Sequence, residues 1–320
     1  MINISISERI INKMIFKVDE FWDGRLLRDY LRSGCYVSRK TLCKLKALEN
    51  GILLNGQRVT VRAVLKVGDN VELAIEDAKE DENPYVIPIG KMPPIVYEDE
   101  AVIAVNKPAG MPTHTSFGHY EDSLSNAVCL YLKNQGKPFV FRAINRLDRD
   151  TSGIVLIAKN RYYAGKLSAS LEKGEFKKKY LAVANGETPD NGRIEGYISR
   201  EGESIIKRCF SESMTDGADY SLTEYVTVSR GDGVSLIEVS PITGRTHQIR
   251  VHMASVGHYL IGDTMYGERS ELINRQALHA YYLAFPSPID GRLLEIKAPL
   301  YEDMLMLIKA YKINGINDEN

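Results

Sequence analysis

An α+β protein is the fold class this sequence predicts, with a small basic unit ahead of a larger sheet-rich domain. Three features predict it. From Pro94 onward strand-like apolar runs recur at "AVIAVN", "GIVLIA", "KYLAVANG", "LTEYVTVS" and "VSLIEVS". Many are joined by loops too short for a helical crossover, so a mixed, mostly antiparallel central sheet flanked by helices is expected rather than a doubly wound one. Ahead of them, eleven Lys/Arg against five Asp/Glu between Lys17 and Val67 give way to "EDAKEDE", with five acids and one lysine. Charge segregated in this way marks a domain edge.

Taken in order, residues 1–15 read as an N-terminal extension. Glu8, Arg9 and Lys13 interrupt its apolar residues, which a secretory signal does not tolerate, so a cytoplasmic location is expected. Leu26, Leu27, Tyr30 and Leu31 fall on one helical face, while Arg25, Arg28 and Arg32 line another. Ser38 is placed to cap a second helix holding Leu42, Leu45 and Leu48, with Arg39, Lys40 and Lys44 beside them and Asn50-Gly51 as its stop. "ILLNGQRVTV" reads as a hairpin turning at Asn55-Gly56, and "VGDNVEL" as a closing strand. Together these make a first domain over 16–76. The acidic, proline-rich stretch 77–92 lacks periodicity and reads as an extended linker. The sheet-rich domain follows over 93–312, with a polar tail at 313–320.

Composition excludes several classes. Apolar and charged fractions of 44% and 26% are those of an ordinary globular protein. No apolar run approaches the roughly 20 residues that span a bilayer, so no membrane role is expected. Cys35, Cys43, Cys129 and Cys209 form no C-x-x-C pair, which suggests neither a disulfide framework nor a zinc site. A net charge of −1 does not advertise a nucleic-acid partner, yet the basic first domain shows how a whole-chain value hides a local patch.

Two clusters can carry chemistry. In "INRLDRDTSG", Asp148 and Asp150 match the D-x-D-x-T pattern of magnesium-dependent phosphatases, whose nucleophile ends a buried parallel strand. The polar Arg142, Asn145 and Arg146 upstream argue against such a strand. Asp150 to Gly153 read instead as a turn before "IVLIA", which leaves Asp148, set between arginines, to be explained. In "SPITGRTHQIRVHMASVGHYLIGDTMYG", Thr246 is placed to cap a helix with Ile249, Met253 and Val256 on its apolar face. The spacing of His247, His252 and His258 does not suit a metal, so no metal is expected. Arg250 near a helix start opposes the helix dipole, and an anionic partner would justify it.

"VNKPAGMPTH", "NRLDRDTSG", "KKKYLAVANG", "PITGRTHQIRVHMASVGH" and "LHAYYLAF", in this order over about residues 94–300, resemble the RluA-type pseudouridine synthase family. The first domain resembles the S-four-like (alpha-L) RNA-binding domain, a known companion of that catalytic domain. The resemblance implies that Asp148, following Arg-Leu, is the catalytic aspartate, and that Tyr180 and Arg250 complete the site. It gives Arg146 the role of occupying the space left by the extruded nucleotide. Asn145 departs from the histidine more usual at its position, which bears on loop contacts or RNA preference. Arg25, Arg28, Arg32, Arg39, Lys40 and Lys44 are the expected RNA contacts of the first domain.

Pseudouridine formation breaks the bond from ribose to N1 of uracil and rejoins the same sugar carbon to C5, so no cofactor is expected. One ionised carboxylate can act at the sugar as nucleophile or as base. The expectation is therefore a monomeric RNA pseudouridine synthase acting on large-subunit ribosomal RNA. A transfer-RNA enzyme and a catalytically silent RNA-binding protein are the alternatives. No obligatory protein partner is expected.

Overall fold

A computed structural model of the chain describes residues 14–75, 81–136, 138, 140–202, 204 and 206–314. Residues 1–13 of the expected extension, 76–80 at the acidic edge and 315–320 of the tail lie outside the described residues.

The first unit is a four-stranded antiparallel sheet of β1 (Met14–Lys17), β2 (Ile52–Leu54), β3 (Gln57–Arg58) and β4 (Asn70–Leu73), in the order β1-β4-β2-β3. Asn55 and Gly56 both take positive φ, 51° and 78°, as a two-residue hairpin between β2 and β3 requires. The first helix departs from expectation. It is a single turn, α1 (Leu27–Asp29), that widens into a π-type turn over Tyr30–Gly34. Leu27, Tyr30 and Leu31 are buried as the apolar stripe requires. The arginines do not form one stripe, because the helix begins only after Arg25, whose guanidinium lies 3.9 Å from the centre of the Phe21 ring. In α2 (Arg39–Ala47) the Ser38 hydroxyl accepts from the Thr41 N–H at 3.1 Å, the expected N-cap. Leu42 and Leu45 are buried, but the helix ends before Leu48, which is exposed.

The second sheet has ten strands: β5 (Ile95–Glu98), β6 (Val102–Lys107), β7 (Ser152–Ala158), β8 (Lys177–Asn185), β9 (Asn191–Arg200), β10 (Arg208–Ser211), β11 (Asp219–Gly231), β12 (Val234–Pro241), β13 (Leu278–Pro286) and β14 (Leu293–Lys297). Their order is β10-β9-β11-β12-β8-β13-β7-β6-β5, with β14 on β13. Every pairing is antiparallel except β13 with β7. Around it lie α3 (Leu124–Lys133), α4 (Arg161–Glu172), α5 (Gln248–Ser255) and α6 (Glu302–Ala310). This is the mixed, mostly antiparallel arrangement that the short loops predict.

The runs "AVIAVN" and "GIVLIA" are apolar throughout because both faces of β6 and β7 are covered. Ile103, Val105, Val155 and Ile157 point into one core with Leu124 and Val128 of α3. Their neighbours Val102, Ala104, Ile154 and Leu156 point into another, shared with α4 and with Leu27, Leu31, Leu45 and Val71 of the first unit.

That shared core joins the two units. Asp81 bridges them in charge, pairing with Lys44 of α2 and, at 2.6 Å, with Arg161 of α4. Phe16 meets Tyr162 at 5.1 Å between ring centres. Residues 83–92 of the expected extended linker have no regular structure but are fastened down, with Asn126 donating to the Ile87 carbonyl at 2.7 Å; just beyond them the Asn106 N–H donates to the Pro94 carbonyl at 2.8 Å. Where α4 passes the Tyr36 backbone, a Cβ on Gly165 would stand 2.6 Å from the Tyr36 carbonyl oxygen. Gly165→Val is therefore expected to push the units apart at a cost of about 1–3 kcal/mol. Limited proteolysis should show faster cleavage between residues 75 and 94 than in the parent protein.

Candidate active site

The first side of the site is the segment leading into β7. Residues 142–144 run beside β7, with the Ile144 N–H donating to Leu156 at 2.7 Å and the Ala158 N–H to Arg142 at 2.9 Å. Asn145 extends this ladder with its side chain, donating to the Ile154 carbonyl at 2.9 Å and accepting from the Leu156 N–H at 2.8 Å. The amide thus substitutes for backbone where the chain leaves the strand. Leu147 is buried as an anchor, its carbonyl accepting from the Thr113 hydroxyl at 3.1 Å.

The turn that follows closes between Asp148 and Thr151, whose N–H donates to the Asp148 carbonyl at 3.1 Å. It lies earlier than expected, since Ser152 and Gly153 already belong to β7. Gly153 is required there: its φ is +117°, and a Cβ would stand 2.3 Å from the Ala280 carbonyl oxygen on β13. Beneath the turn, the fully buried Lys107 ammonium donates to the carbonyls of Pro108, Met111 and Arg149 at 2.8–3.0 Å. Burial pushes its pKa down to about 7, opposed by the Asp150 and Asp148 carboxylates. Asp150 itself turns outward to pair with Arg149 at 2.9 Å.

The second side is the start of α5. Thr246 is not its cap; His247 is the N-cap residue, in a left-handed conformation (φ 58°, ψ 16°) without a side-chain cap bond. The Gln248 side chain organises the turn instead, accepting from the Arg245 N–H at 3.0 Å and donating to Leu222 and Thr223 at 2.9 Å each. Ile249 and Met253 are buried as expected, whereas Val256 lies past the helix and is exposed.

Arg250 finds two anionic partners. Its Nη1 lies 3.3 Å from Asp148 Oδ2, while Nε and Nη2 form a bidentate pair with Asp263 at 2.7 and 2.8 Å. Burial opposes its charge, but Asp263 first and then Asp148 raise its pKa above the ordinary arginine value. The tighter pair is with Asp263, a residue the sequence reading missed. A signal was present: Asp263 is the only acid between Ser240 and Gly267, in the same stretch as the arginine that needed an anion.

Tyr180, on β8, stands where the apolar cores on either side of the cleft meet. Burial, and then the Asp148 charge, push its phenol pKa up, so it stays protonated. Asp148, Tyr180, Arg250, Arg146, His247 and Lys178 all line one open cleft of about 530 Å³. Arg146 is exposed at this cleft, and burial lowers the pKa of Lys178. A volume of that order suits one nucleotide unit.

The RNA pseudouridylate synthase family matches residues 101–255. A Bacillus subtilis protein named as the uncharacterized RNA pseudouridine synthase YjbO is 35% identical over 275 residues, covering 86% of this chain and 95% of its own length. The chain belongs to the RluA-type RNA pseudouridine synthases. Another relative of the synthase, the ribosomal large subunit pseudouridine synthase D of Neisseria meningitidis, is 32% identical over 304 residues, covering 91% of this chain and 78% of its own. The solved structure of human RNA pseudouridylate synthase domain containing 1 superposes on the synthase with a TM-score of 0.54 at 27% identity, over 68% of this chain and 94% of that one. The synthase is thus an isomerase acting on RNA.

Of the basic residues expected to contact RNA in the first unit, Arg25, Arg28, Arg32, Arg39 and Lys40 are exposed. Lys44 departs from them, turned toward Asp81 in the junction between the units. Arg28 is partly engaged by the adjacent Asp29 at 3.2 Å. Among the described residues, no helix of the synthase is long and apolar enough to cross a membrane, and no three His, Cys, Asp or Glu side chains gather as metal ligands would.

Proposed function

We propose that this synthase isomerises one or more uridines of large-subunit ribosomal RNA, with Asp148 as its catalytic carboxylate. The observation that carries the site assignment is the 3.3 Å approach of Arg250 to Asp148 inside a cleft that also presents Tyr180. A uridine turned out of its stack, at a cost of a few kcal/mol, brings its sugar to Asp148 and lays its base against the Tyr180 ring. The carboxylate then acts at the sugar, as a nucleophile bonding to C1′ as the N1–C1′ bond breaks or as a base taking a ribose proton that is later returned. Uracil turns, C5 bonds to C1′ with the carboxylate freed, and the proton lost from C5 balances the one gained at N1. Arg250 orients the carboxylate, its Nη1 lying 3.3 Å from Oδ2. The Tyr180 hydroxyl, held protonated, is a donor rather than a base. Arg146, exposed at the cleft, occupies the space the nucleotide leaves.

The four-stranded first unit is assigned as an S-four-like RNA-binding domain, using Arg25, Arg28, Arg32, Arg39 and Lys40 on its exposed surface. The ribosomal target is supported by relatives named for the large subunit. Transfer RNA is the second reading, and a silent RNA binder the third. Pseudouridine maps of cells with and without this chain decide between them. Loss of sites in large-subunit RNA is expected, restored by the parent gene and not by Asp148→Asn. Loss confined to transfer RNA would move the target, and unchanged maps would leave only RNA binding.

A further inference from the structure

His247 lines the cleft but has no part in the scheme above. We propose that His247 is a positioning residue: Tyr266 locks its imidazole with the proton on Nε2, and that N–H joins Arg250 in holding Oδ2 of Asp148 so that Oδ1 faces the ribose. The inference rests on the assignment of Asp148.

The hydrogen-bond chain fixes the tautomer. The Arg208 backbone N–H donates to the Tyr266 hydroxyl oxygen at 2.8 Å. That hydroxyl has one hydrogen of its own, and His247 Nδ1 lies 2.9 Å away. Were Nδ1 the protonated nitrogen, it would donate to the same oxygen, and among the described residues the phenol hydrogen would have no other side-chain or backbone acceptor. The arrangement that pairs every described group has the phenol donating to Nδ1, which puts the ring proton on Nε2. Burial, with the Arg250 and Arg208 charges, lowers the His247 pKa against the opposing pull of Asp148 and Asp263, so the neutral ring is favoured.

The free nitrogen faces the carboxylate. Nε2 stands 3.9 Å from Asp148 Oδ2, the same oxygen that Arg250 Nη1 approaches at 3.3 Å. At 3.9 Å this is not yet a hydrogen bond, but such contacts commonly shorten when substrate fills a site. Two donors on Oδ2 leave Oδ1 as the oxygen free to act at the sugar.

The backbone at this residue is itself strained. A left-handed conformation disfavours a histidine by about 1–2 kcal/mol, where glycine would adopt it readily. As N-cap, the side chain makes no cap bond, so it does not offset that cost by serving α5. Its ring stands edge-on to Tyr266 at 5.7 Å, held in the cleft.

Single-turnover kinetics on a mapped substrate RNA test this with His247→Gly, His247→Gln and Tyr266→Phe. His247→Gly is expected to match or exceed the parent in thermal stability and to keep KM within about twofold. Its kcat should fall roughly 10- to 100-fold, the scale of a misplaced reacting group. His247→Gln, which returns an amide donor near the Nε2 position, is expected to recover part of the rate, and Tyr266→Phe to lower kcat without raising KM. His247→Asn, tolerant of the same backbone, replaces the glycine variant if that fails to fold. Parent kcat in His247→Gly, or losses confined to stability or KM, would overturn the inference. Asp148→Asn run alongside separates the two assignments. If it is inactive while His247→Gly is fully active, only the role of His247 falls; if it is active, the reading of Asp148 falls first.

Discussion

Asp148→Asn is expected to reduce pseudouridine formation by roughly 10²- to 10⁴-fold or more while leaving the protein folded and able to bind RNA. The substitution keeps the shape of the side chain and removes the charge that the proposed chemistry uses. It does not strand Arg250, whose bidentate pair with Asp263 stays intact. The contrast is Asp263→Ala. Asp263 is fully buried beside an Arg250 side chain only 8% exposed, so its loss leaves a buried cation without its main partner. That costs about 3–5 kcal/mol. The 265–266 backbone, whose Met265 and Tyr266 N–H groups donate to Asp263 Oδ1 at 3.1 and 3.3 Å, is released as well. Denaturant unfolding and single-turnover assays on both variants separate the roles: Asp148→Asn should be stable and inactive, Asp263→Ala unstable and inactive. An Asp148→Asn protein that is active, or that unfolds as easily as Asp263→Ala, would show that the cleft is organised otherwise.

The difference between those two aspartates also shows what can be read from sequence. Asp148 stands out locally, because arginines and polar residues around it are wrong for a buried strand. Asp263 does not stand out, since its meaning is its pairing with Arg250, and a loop Asp beside Gly262 reads equally well as a turn. Strands β6 and β7 of the second sheet were legible for the opposite reason. Burial on both faces forces a continuous apolar run, which needs no knowledge of partners. The first helix misled because four apolar residues cannot distinguish a full helix from a single turn opening into a π-type turn at Tyr30–Gly34. The docking of the two units was invisible, since Gly165 matters only through the Tyr36 carbonyl that faces it. Asn145, read as a weak point in the family pattern, proves to be a backbone surrogate for β7.

Acid is expected to destabilise the protein from about pH 6.5 downward, through two histidines that take no part in the proposed chemistry. His252 and His279 are fully buried, and burial lowers each pKa from 6.5 to about 4. Their hydrogen bonds are those of the neutral ring. At His279, Nε2 faces the Ala298 carbonyl at 3.3 Å and so carries the proton, which leaves Nδ1 to accept from Ser152 at 2.8 Å. At His252, the Ser221 hydroxyl gives its hydrogen to the Gly196 carbonyl at 3.2 Å and so accepts from Nε2 at 2.9 Å, which leaves Nδ1 of the neutral ring to accept from the Thr223 hydroxyl at 2.9 Å. A second ring proton on Nδ1 would require the facing hydroxyl, Ser152 or Thr223, to turn its own hydrogen away and give up that bond. Because the folded pKa lies below the unfolded one, the unfolded chain binds more protons between pH 4 and 6.5, and stability falls as pH falls through that window. Each histidine contributes a slope of up to about 1.4 kcal/mol per pH unit, and above pH 6.5 this contribution is flat. Denaturant unfolding at pH 7.5, 6.5, 5.5 and 5, before most carboxylates titrate, measures it. His252→Asn and His279→Asn are each expected to lower stability at pH 7.5 and to flatten the slope below pH 6.5. An unaltered slope in both variants would assign the acid sensitivity to other groups. Since Ser152 opens β7 immediately after the Asp148 turn, protonation of His279 is also expected to loosen that turn, so activity should fall with stability in the same pH range.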